Sequence, residues 1–386
     1  MRYAALLRRL KRLAGIQTPP PPRPAAAQAA YDPSARASFL MRDAPLALSR
    51  AKNRDQGLSD WQTQARDKLA EITGYCRERP RLAVVHDAPY QTPGSPAMRE
   101  VVLATECGLL APLMIADPGD GAGLRPAMIC LQGTNSGFHL SWGETREPVD
   151  AMRIERGGDF LRQAAGQGFV AVALEMRCFG RRAERALPRR SPVHSIDHAL
   201  HLMLNGRSLL GERSSDVSLA LDWLVENAPE LGIDPEMIYI MGHSAGGSVA
   251  LYSSALDTRI AGAILSGCIG YARETYGARG DQAGQNVVPG FLNWMETDDV
   301  VALCAPRPTV VISGTKDHIY PGDGASRVCA SAADAWAALN ASDRLAVLEP
   351  EGGHRFYPDA VWPAFSEVAR LAPIGKNEFL KERASP

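Results

Sequence analysis

The sequence Y-I-M-G-H-S-A-G-G, residues 239–247, decides the fold. It contains the pattern G-x-S-x-G at residues 242–246, after an apolar run and before the helix-compatible stretch S-V-A-L-Y-S-S-A. This context predicts a sharp turn from strand to helix, with Ser244 in a strained backbone conformation at its tip. Glycine is needed at 242 and 246 because any side chain there would collide with the tight turn. The pattern therefore predicts that Ser244 presents its hydroxyl as a nucleophile.

Two residues further along the chain are candidates for activating Ser244, because a serine hydroxyl is a poor nucleophile until a base takes its proton. His354, in E-P-E-G-G-H-R-F-Y, follows the last predicted strand and is the candidate base. Asp317, in V-V-I-S-G-T-K-D-H, follows the preceding strand and is the candidate carboxylate that orients the imidazole. Asp323 is the rival acid, but it lies further beyond that strand. We predict a triad of Ser244, Asp317 and His354.

Acyl transfer also needs donors for the negative charge that develops on the carbonyl oxygen. The backbone N–H of Ala245, directly after the nucleophile, is one candidate. The segment A-M-I-C-L-Q-G-T-N-S-G supplies a loop after an earlier strand, and we predict the N–H of Thr134 as the second donor, with Gly133 as the next choice. Gln132 stands where many hydrolases have histidine in a His-Gly-x sequence.

The pattern of apolar residues predicts an α/β fold. Residues 58–73 predict a helix that ends at Gly74, and residues 99–105 and 109–116 predict a β-hairpin. Beyond Pro126, continuous apolar runs alternate with helical patterns, which predicts a mostly parallel central sheet with helices on both faces. The predicted strands are 127–131, 169–174, 237–241, 260–265, 309–313 and 345–348. The predicted helices between them are 158–167, 214–227, 248–255, 327–339 and 362–371.

The domain organisation follows from composition. Residues 1–30 form a basic head and a Pro/Ala-rich linker, and residues 31–386 form one domain with an N-terminal helical extension at 31–98. Two long connections, 177–213 and 267–308, leave the carboxyl ends of strands and are predicted to form caps over a pocket. The residues predicted to line the pocket are Gln132, Phe138, Trp142, Arg177, Phe179 and Trp294.

Composition excludes several classes of protein. The net charge of −1 argues against general nucleic-acid binding, and no apolar run is long enough for a transmembrane helix. Seven scattered cysteines without a C-x-x-C pair predict neither a disulfide framework nor a zinc site, and favour a reducing, cytoplasmic location. His194, His198 and His201 have spacing compatible with metal binding, but a polar loop and helix is the favoured interpretation. No metal and no cofactor are expected, since the chain has no phosphate-binding motif.

The body of the chain, from about Trp61 to Leu371, resembles the α/β-hydrolase superfamily, in particular its bacterial dienelactone hydrolase-like and acetyl xylan esterase-like branch. The resemblance is carried by L-E-M-R-C-F-G-R-R (174–182), N-G-R-S-L-L-G-E-R-S-S-D-V (205–217), I-D-P-E-M-I-Y-I-M-G-H-S-A-G-G (233–247) and A-P-R-P-T-V-V-I-S-G-T-K-D (305–317). It implies a serine hydrolase that cleaves a small carboxylic ester, with a short acyl group, through an acyl-enzyme.

Alternatives remain open on the same residues. A serine peptidase of the prolyl-oligopeptidase kind, a C–C bond hydrolase, an acyltransferase and a ligand receptor all use this fold. Residues 1–13 form a basic amphipathic stretch that contacts an anionic membrane, a partner or its own body, or stays solvated. The sequence leaves the oligomeric state open, with a homodimer among the options.

Overall fold

The computed structural model describes residues 33–79, 81–91, 97–118, 123–185, 195–275, 284–320 and 323–371. The basic head, the proline-rich linker and His194 lie outside these residues. The chain divides into two units, residues 1–44 and residues 45–386. Helix α1 (Pro33–Arg42) is the described element of the first unit. The unit that carries the candidate site thus begins at Pro45, some way beyond the boundary after residue 30 that the sequence predicts.

The described part of the second unit contains nine strands, and one sheet includes them all. The strands are β1 (Val84–Tyr90), β2 (Met98–Ala104), β3 (Leu110–Ala116), β4 (Arg125–Leu131), β5 (Val170–Leu174), β6 (Ile233–His243), β7 (Ala263–Ser266), β8 (Thr309–Ile312) and β9 (Leu345–Leu348). Their order in the sheet is β1-β2-β3-β5-β4-β6-β7-β8-β9. Pairing is antiparallel from β1 to β5 through β2 and β3, and parallel from β5 to β9. The predicted hairpin and mostly parallel sheet are confirmed.

Helices cover both faces of this sheet. They are α2 (Leu58–Thr73), α3 (Asp150–Arg153), α4 (Phe160–Gly166), α5 (Ile196–Met203), α6 (Leu209–Glu226), α7 (Ala228–Leu231), α8 (Ala245–Leu256), α9 (Phe291–Trp294), α10 (Thr297–Ala302), α11 (Gly324–Ala338) and α12 (Pro358–Val368). One core cluster packs α2, α6, α8 and α11 on one face of the sheet, and the other packs α4 and α12 on the opposite face. The continuous apolar runs are explained by this arrangement, because every residue of β5 and of β8 is buried.

Helix α6 is held in place at its N-terminus by contacts of Ser208 and Gly211. Ser208 caps it, because its hydroxyl oxygen accepts a hydrogen bond from the N–H of Gly211 (3.0 Å) and its O–H donates to the carbonyl of Thr73 (3.0 Å). A Cβ on Gly211 would lie 2.1 Å from that same Thr73 carbonyl oxygen, so only glycine allows this approach. The cap therefore ties α6 to the end of α2, two helices that pack on the same face of the sheet.

Arg177, which follows β5, is buried in a network of charges instead of facing a pocket. Its guanidinium makes a bidentate contact with Asp216 on α6 (2.8 and 2.9 Å) and also binds Glu212 and Glu106. Burial disfavours the charged form of Asp216, but Arg182 and Arg177 outweigh it and hold its pKa below the usual value. A buried carboxylate needs such partners, and the network anchors α6 to the end of β5.

Candidate active site

The turn between β6 and α8 holds Ser244 at its tip. The strand ends at His243, the helix begins at Ala245, and Ser244 has φ 56° and ψ −120°. Such a conformation is strained for a residue with a side chain and persists only where the surroundings enforce it. A Cβ on Gly246 would lie 2.3 Å from the carbonyl oxygen of Leu131, and one on Gly242 would lie 2.2 Å from that of Gly246. The turn is therefore packed too tightly for any residue other than glycine at these two positions.

Asp317 and His354 are in direct contact beside this turn. Asp317 Oδ2 lies 2.7 Å from His354 Nδ1, and Asp317 Oδ1 accepts hydrogen bonds from the backbone N–H groups of Ile319 (2.8 Å) and Tyr320 (3.0 Å). Burial tends to raise the pKa of the Asp317 carboxyl, but the hydrogen bond with His354 and the two backbone donors outweigh it and lower the pKa. The carboxylate is thus ionised at neutral pH and fixes the orientation of the imidazole.

Ser244 and His354 line the same cleft. Because Asp317 occupies Nδ1, Nε2 is the ring nitrogen of His354 that remains for the serine hydroxyl. Catalytic hydrogen bonds to the nucleophile commonly form only when substrate is bound. The rival acid, Asp323, is instead an exposed residue that accepts a hydrogen bond from Arg327 (3.0 Å) at the start of α11. The structure thus places Ser244 in the same cleft as the hydrogen-bonded pair of Asp317 and His354, at the carboxyl edge of the sheet.

A second histidine, His243, packs against the candidate base. The centroids of the two imidazole rings are 4.6 Å apart, and His243 Nδ1 lies 3.0 Å from Ser266 Oγ. Burial, together with the nearby His354, lowers the pKa of His243 to about 3. His243 is therefore neutral at physiological pH, and it adds no positive charge that would oppose protonation of His354 during catalysis.

The loop after β4 brings the predicted oxyanion donors next to Ser244. A Cβ on Gly133 would lie 3.3 Å from the Cβ of Ser244, so the loop backbone passes directly beside the nucleophile. Within the described parts of the chain, the N–H groups of Ala245 and Thr134 have no hydrogen-bond acceptor. Gln132 braces the loop, because its Nε2 donates to Ser141 Oγ (2.5 Å) and to the carbonyl of Gly158 (2.8 Å). These two N–H groups are free to bind a carbonyl oxygen.

Gln285, from the second long connection, fixes Thr134 from the other side of the cleft. Its Nε2 donates to Thr134 Oγ1 (3.2 Å), while its Oε1 accepts from Ser195 Oγ (3.4 Å) and from the fully buried Arg213 (3.4 Å). The two donors to Oε1 set the orientation of the amide, so Nε2 must point at Thr134. The first and second connections thus meet at one buried side chain beside the oxyanion loop.

Substitution of Gln285 by alanine should lower kcat for an ester by about tenfold, because one hydrogen bond of about 1.4 kcal/mol no longer positions Thr134. KM should change by less than about twofold, since the loop has to be positioned chiefly in the transition state. Steady-state kinetics with p-nitrophenyl acetate measures both constants. Gln285→Glu is the matched control of similar size, and it should keep more activity than the alanine variant because the hydroxyl of Thr134 can donate to its carboxylate. Full activity in both variants would rule out this role.

The cleft around Ser244 has a volume of about 430 Å³. Its walls carry Gln132, Gly133, Thr134, Asn135, Leu140, Val149, Met152, Arg153, Arg156, Gly158, Phe160, His243, Gln285, His354, Ile319, Arg355 and Phe356. Of the six residues that the sequence predicts in the pocket, Gln132 lies in this wall. Gln285, also in the wall, comes from the predicted connection 267–308.

The other five predicted pocket residues lie elsewhere, and this corrects the prediction. Phe138 and Trp142 pack edge to face in the core, with ring centroids 4.9 Å apart. Phe179 is buried under the guanidinium of Arg213, 4.6 Å from its ring centroid, and Trp294 is covered by Lys68. Arg177 is in the buried ionic network described above. These residues follow strand ends, as predicted, but apolar packing or ion pairing takes up their side chains.

Glu175 supports the segment that follows β4 and carries the predicted oxyanion donors. It is buried at the end of β5, where Oε1 accepts from the N–H of Phe138 (2.9 Å) and Oε2 from that of Arg181 (3.3 Å). Burial raises the pKa of Glu175 to about 7, although the two N–H groups and the nearby Arg181 and Arg182 act in the opposite direction. The folded protein therefore binds this proton more tightly than the unfolded chain.

The free energy of unfolding of Glu175→Gln should exceed that of the parent protein at pH 8, by up to about 3 kcal/mol. Between pH 4.5, the ordinary value for Glu, and about 7, the folded state carries more protons at this site, so stability is lost as pH rises. Glutamine cannot titrate, and its amide oxygen can still accept from Phe138. Urea unfolding at pH 4.5 and pH 8 measures the difference, which should shrink to less than about 1 kcal/mol at the lower pH. Equal pH dependence in both proteins would contradict the assignment.

A further polar cluster next to the cleft is not evident from the sequence pattern. His139 Nε2 lies 2.9 Å from Asp150 Oδ2, and Ser136 Oγ donates to Asp150 Oδ1 (2.6 Å). Asp150 is fully buried and also accepts from the backbone N–H groups of Arg146 and Glu147. Ser136 Oγ also lies 3.4 Å from His139 Nε2, so the three side chains contact one another and clamp the loop that follows the predicted oxyanion donors.

The histidines whose spacing is compatible with metal binding form no metal site in the described part of the chain. No group of three or more potential His, Cys, Asp or Glu ligands is present in those segments. His198 Nε2 lies 3.7 Å from Glu212 Oε2, and His194 is outside the described residues. Among the described helices, none is long and apolar enough to cross a membrane.

Comparisons with known proteins agree with this architecture. The BD-FAE family model matches residues 194–266, from the first long connection to the end of β7. YtaP of Bacillus subtilis (strain 168), assigned as a hydrolase, is 23% identical over 246 residues, 63% of this chain and 78% of its own. Carbohydrate esterase MZ0003, from an unknown prokaryotic organism, is 30% identical over 121 residues, 26% of each chain.

Solved structures show the fold. A protein assigned as an acetyl xylan esterase, from Bacteroides fragilis NCTC 9343, superposes with a TM-score of 0.63 at 17% identity, covering 82% of both chains. A glucuronoyl esterase from Solibacter usitatus superposes with a TM-score of 0.58 at 16% identity, covering 81% of this chain and 93% of its own. The chain has the α/β-hydrolase fold, as its resemblance to that superfamily implies.

Proposed function

We propose that this protein is a serine hydrolase that cleaves carboxylic esters through an acyl-enzyme. One observation carries the proposal: a buried, ionised Asp317 binds His354 in the same cleft in which a strained turn presents Ser244. The names of the similar proteins support the reaction class, since they include carbohydrate esterases and hydrolases.

The first half of the reaction forms the acyl-enzyme. His354 Nε2 takes the proton of Ser244 as its oxygen attacks the ester carbonyl, and the electron pair of the C=O bond moves to oxygen. The N–H groups of Ala245 and Thr134 bind that oxyanion. When the tetrahedral intermediate collapses, the C–O bond to the leaving alcohol breaks and His354 gives it the proton.

The second half repeats these steps with water as the nucleophile. His354 takes a proton from water, hydroxide adds to the acyl carbon, and Ser244 leaves with the proton that His354 returns. Asp317 stabilises the imidazolium that forms in each half. A cleft of about 430 Å³ is at the small end of ligand-binding pockets, which favours a short acyl group.

Parallel assays with p-nitrophenyl acetate and alanyl-p-nitroanilide test the proposal against a peptidase. We expect the ester to be hydrolysed with a kcat/KM at least about 10³-fold above that for the anilide. A fluorophosphonate probe should label Ser244, as mass spectrometry of the labelled peptide would show. Failure of the probe to react, with no ester hydrolysis, would favour a ligand receptor, and preference for the anilide would favour the peptidase.

A further inference from the structure

Three arginines line the cleft that holds Ser244 and His354, and no acidic side chain is among the described residues of its wall. They are Arg153, Arg156 and Arg355. The whole chain has a net charge of −1, so a wall with three positive charges is a local departure from the balance of the protein. This concentration of charge was not predicted, because Arg355 is far in sequence from Arg153 and Arg156 and the three follow no motif.

These guanidinium groups are poorly neutralised by the protein. Neither Arg156 nor Arg355 has a hydrogen bond or an ion pair with any other described residue, and both are exposed. Arg355 rests on the ring of Tyr357, 4.7 Å from its centroid. Arg153 is 3.6 Å from Asp150, whose oxygens already accept from a serine, a histidine and two backbone N–H groups. The donors of two arginines at least remain available in the cleft.

The backbone that carries Arg156 is held firmly, so the charges do not depend on a loose loop. Gln163 Nε2 donates to the carbonyl of Gly157 (2.9 Å), and Gln132 donates to that of Gly158. Gly157 has φ 87°, and a Cβ there would lie 3.4 Å from the carbonyl oxygen of Phe356. The turn at 154–158 therefore packs against the loop that supplies His354 and Arg355, which brings arginines of both segments to one side of the cleft.

We propose that this side of the cleft binds an anionic group, a carboxylate in particular, on the ester that the protein hydrolyses. The proposal rests on the ester hydrolase function proposed above. Guanidinium groups recognise carboxylates through paired, charge-assisted hydrogen bonds, which are about twice as strong as neutral ones. A negatively charged substrate would neutralise the positive charge of these arginines.

The test compares two pairs of esters that differ in charge and hardly in size. In one pair the alcohol part carries the charge: 4-acetoxybenzoate against 4-acetoxybenzamide. In the other the acyl part carries it: mono-4-nitrophenyl adipate against 4-nitrophenyl hexanoate. For at least one pair, the parent protein should give a kcat/KM for the anionic ester at least about tenfold above that for the neutral one, and the ratio should fall as NaCl rises.

The double variant Arg156→Gln/Arg355→Gln should lower that ratio by at least about tenfold, with kcat/KM for the neutral ester within about twofold of the parent. Because each variant is compared with the parent by a ratio, the intrinsic reactivities of the esters cancel. Arg81→Gln, which removes an exposed arginine outside the cleft wall, should leave the ratio unchanged. Thermal unfolding would check that the exposed substitutions leave the fold intact.

Two results would overturn the proposal: no preference for the anionic ester in either pair, or an equal loss of activity on both members of a pair in the double variant. If the parent hydrolyses none of the four esters and the fluorophosphonate fails to label Ser244, the proposed function itself is wrong. Hydrolysis of the neutral esters without a charge preference leaves that function intact and removes only the anionic site.

Discussion

Replacing Ser244 with alanine should lower kcat for p-nitrophenyl acetate by about 10⁶-fold, the loss expected when a triad hydrolase has no nucleophile. Alanine has no oxygen that can form the acyl-enzyme, and the N–H groups of Ala245 and Thr134 retain only the small rate enhancement of an oxyanion site without covalent catalysis. Initial rates with the spontaneous hydrolysis subtracted would measure the loss. The KM of the parent protein depends on formation and breakdown of the acyl-enzyme, which this variant cannot form. The two KM values are therefore not comparable, and kcat is the quantity to compare.

Ser253→Ala is a matched control on the same helix. Its hydroxyl is buried and has no hydrogen-bond partner among the described residues, so its removal should cost little stability and no activity. The turn at residue 244 should tolerate alanine, because the strain at φ 56° depends on the backbone and not on the hydroxyl. Equal esterase activity in Ser244→Ala and the parent protein would end the proposed mechanism.

Asp317→Asn should lower kcat by about 10⁴-fold while the fold stays intact. The N–H groups of Ile319 and Tyr320 both point at one oxygen of residue 317, so the asparagine carbonyl should take that position. Its NH₂ group then faces His354 Nδ1 and donates to it, which forces the ring proton onto Nε2. An imidazole that carries its proton on Nε2 cannot accept the proton of Ser244, so the base is lost although every residue remains in place.

Asp323→Asn distinguishes the two candidate acids, because it makes the same chemical change at an exposed carboxylate that binds Arg327. It should keep kcat within about twofold of the parent, since it contacts nothing in the cleft. Circular dichroism and thermal unfolding should show that both asparagine variants fold. A large loss in Asp323→Asn, with Asp317→Asn still active, would reverse the assignment of the acid.

The parts of the fold that could be predicted from the sequence are those that one local pattern determines. The helix at Leu58–Thr73 was predictable to the residue, since its apolar stripe ends at Gly74, which adopts φ 69°. Strand β9 was also predictable from a short apolar run. Strand β1 was not, because V-V-H-D-A-P-Y is mostly exposed at the edge of the sheet and has neither a continuous apolar run nor a regular alternation.

The candidate site also has residues that could be predicted from the sequence and residues that could not. Ser244, Asp317 and His354 could be proposed because each follows a predicted strand, and parallel strands end at one edge of the sheet. The wall of the cleft could not be predicted, because a side chain beyond a strand end can turn toward the cleft or toward the core. Phe138 packs in the core, whereas Gln285 and Arg156 reach the cleft from segments whose path depends on tertiary contacts.

The turn at 154–158 has a consequence for protein engineering. Hydrogen bonds to the carbonyls of Gly157 and Gly158 hold the turn in place. The side chains of Arg153 and Arg156 contribute neither to the sheet nor to the hydrogen bond between Asp317 and His354. A library of variants at residues 153 and 156 should therefore change which esters the protein hydrolyses and leave its thermostability nearly unchanged. Beneficial substitutions there should also combine additively with changes at distant sites that share no contacts with the cleft.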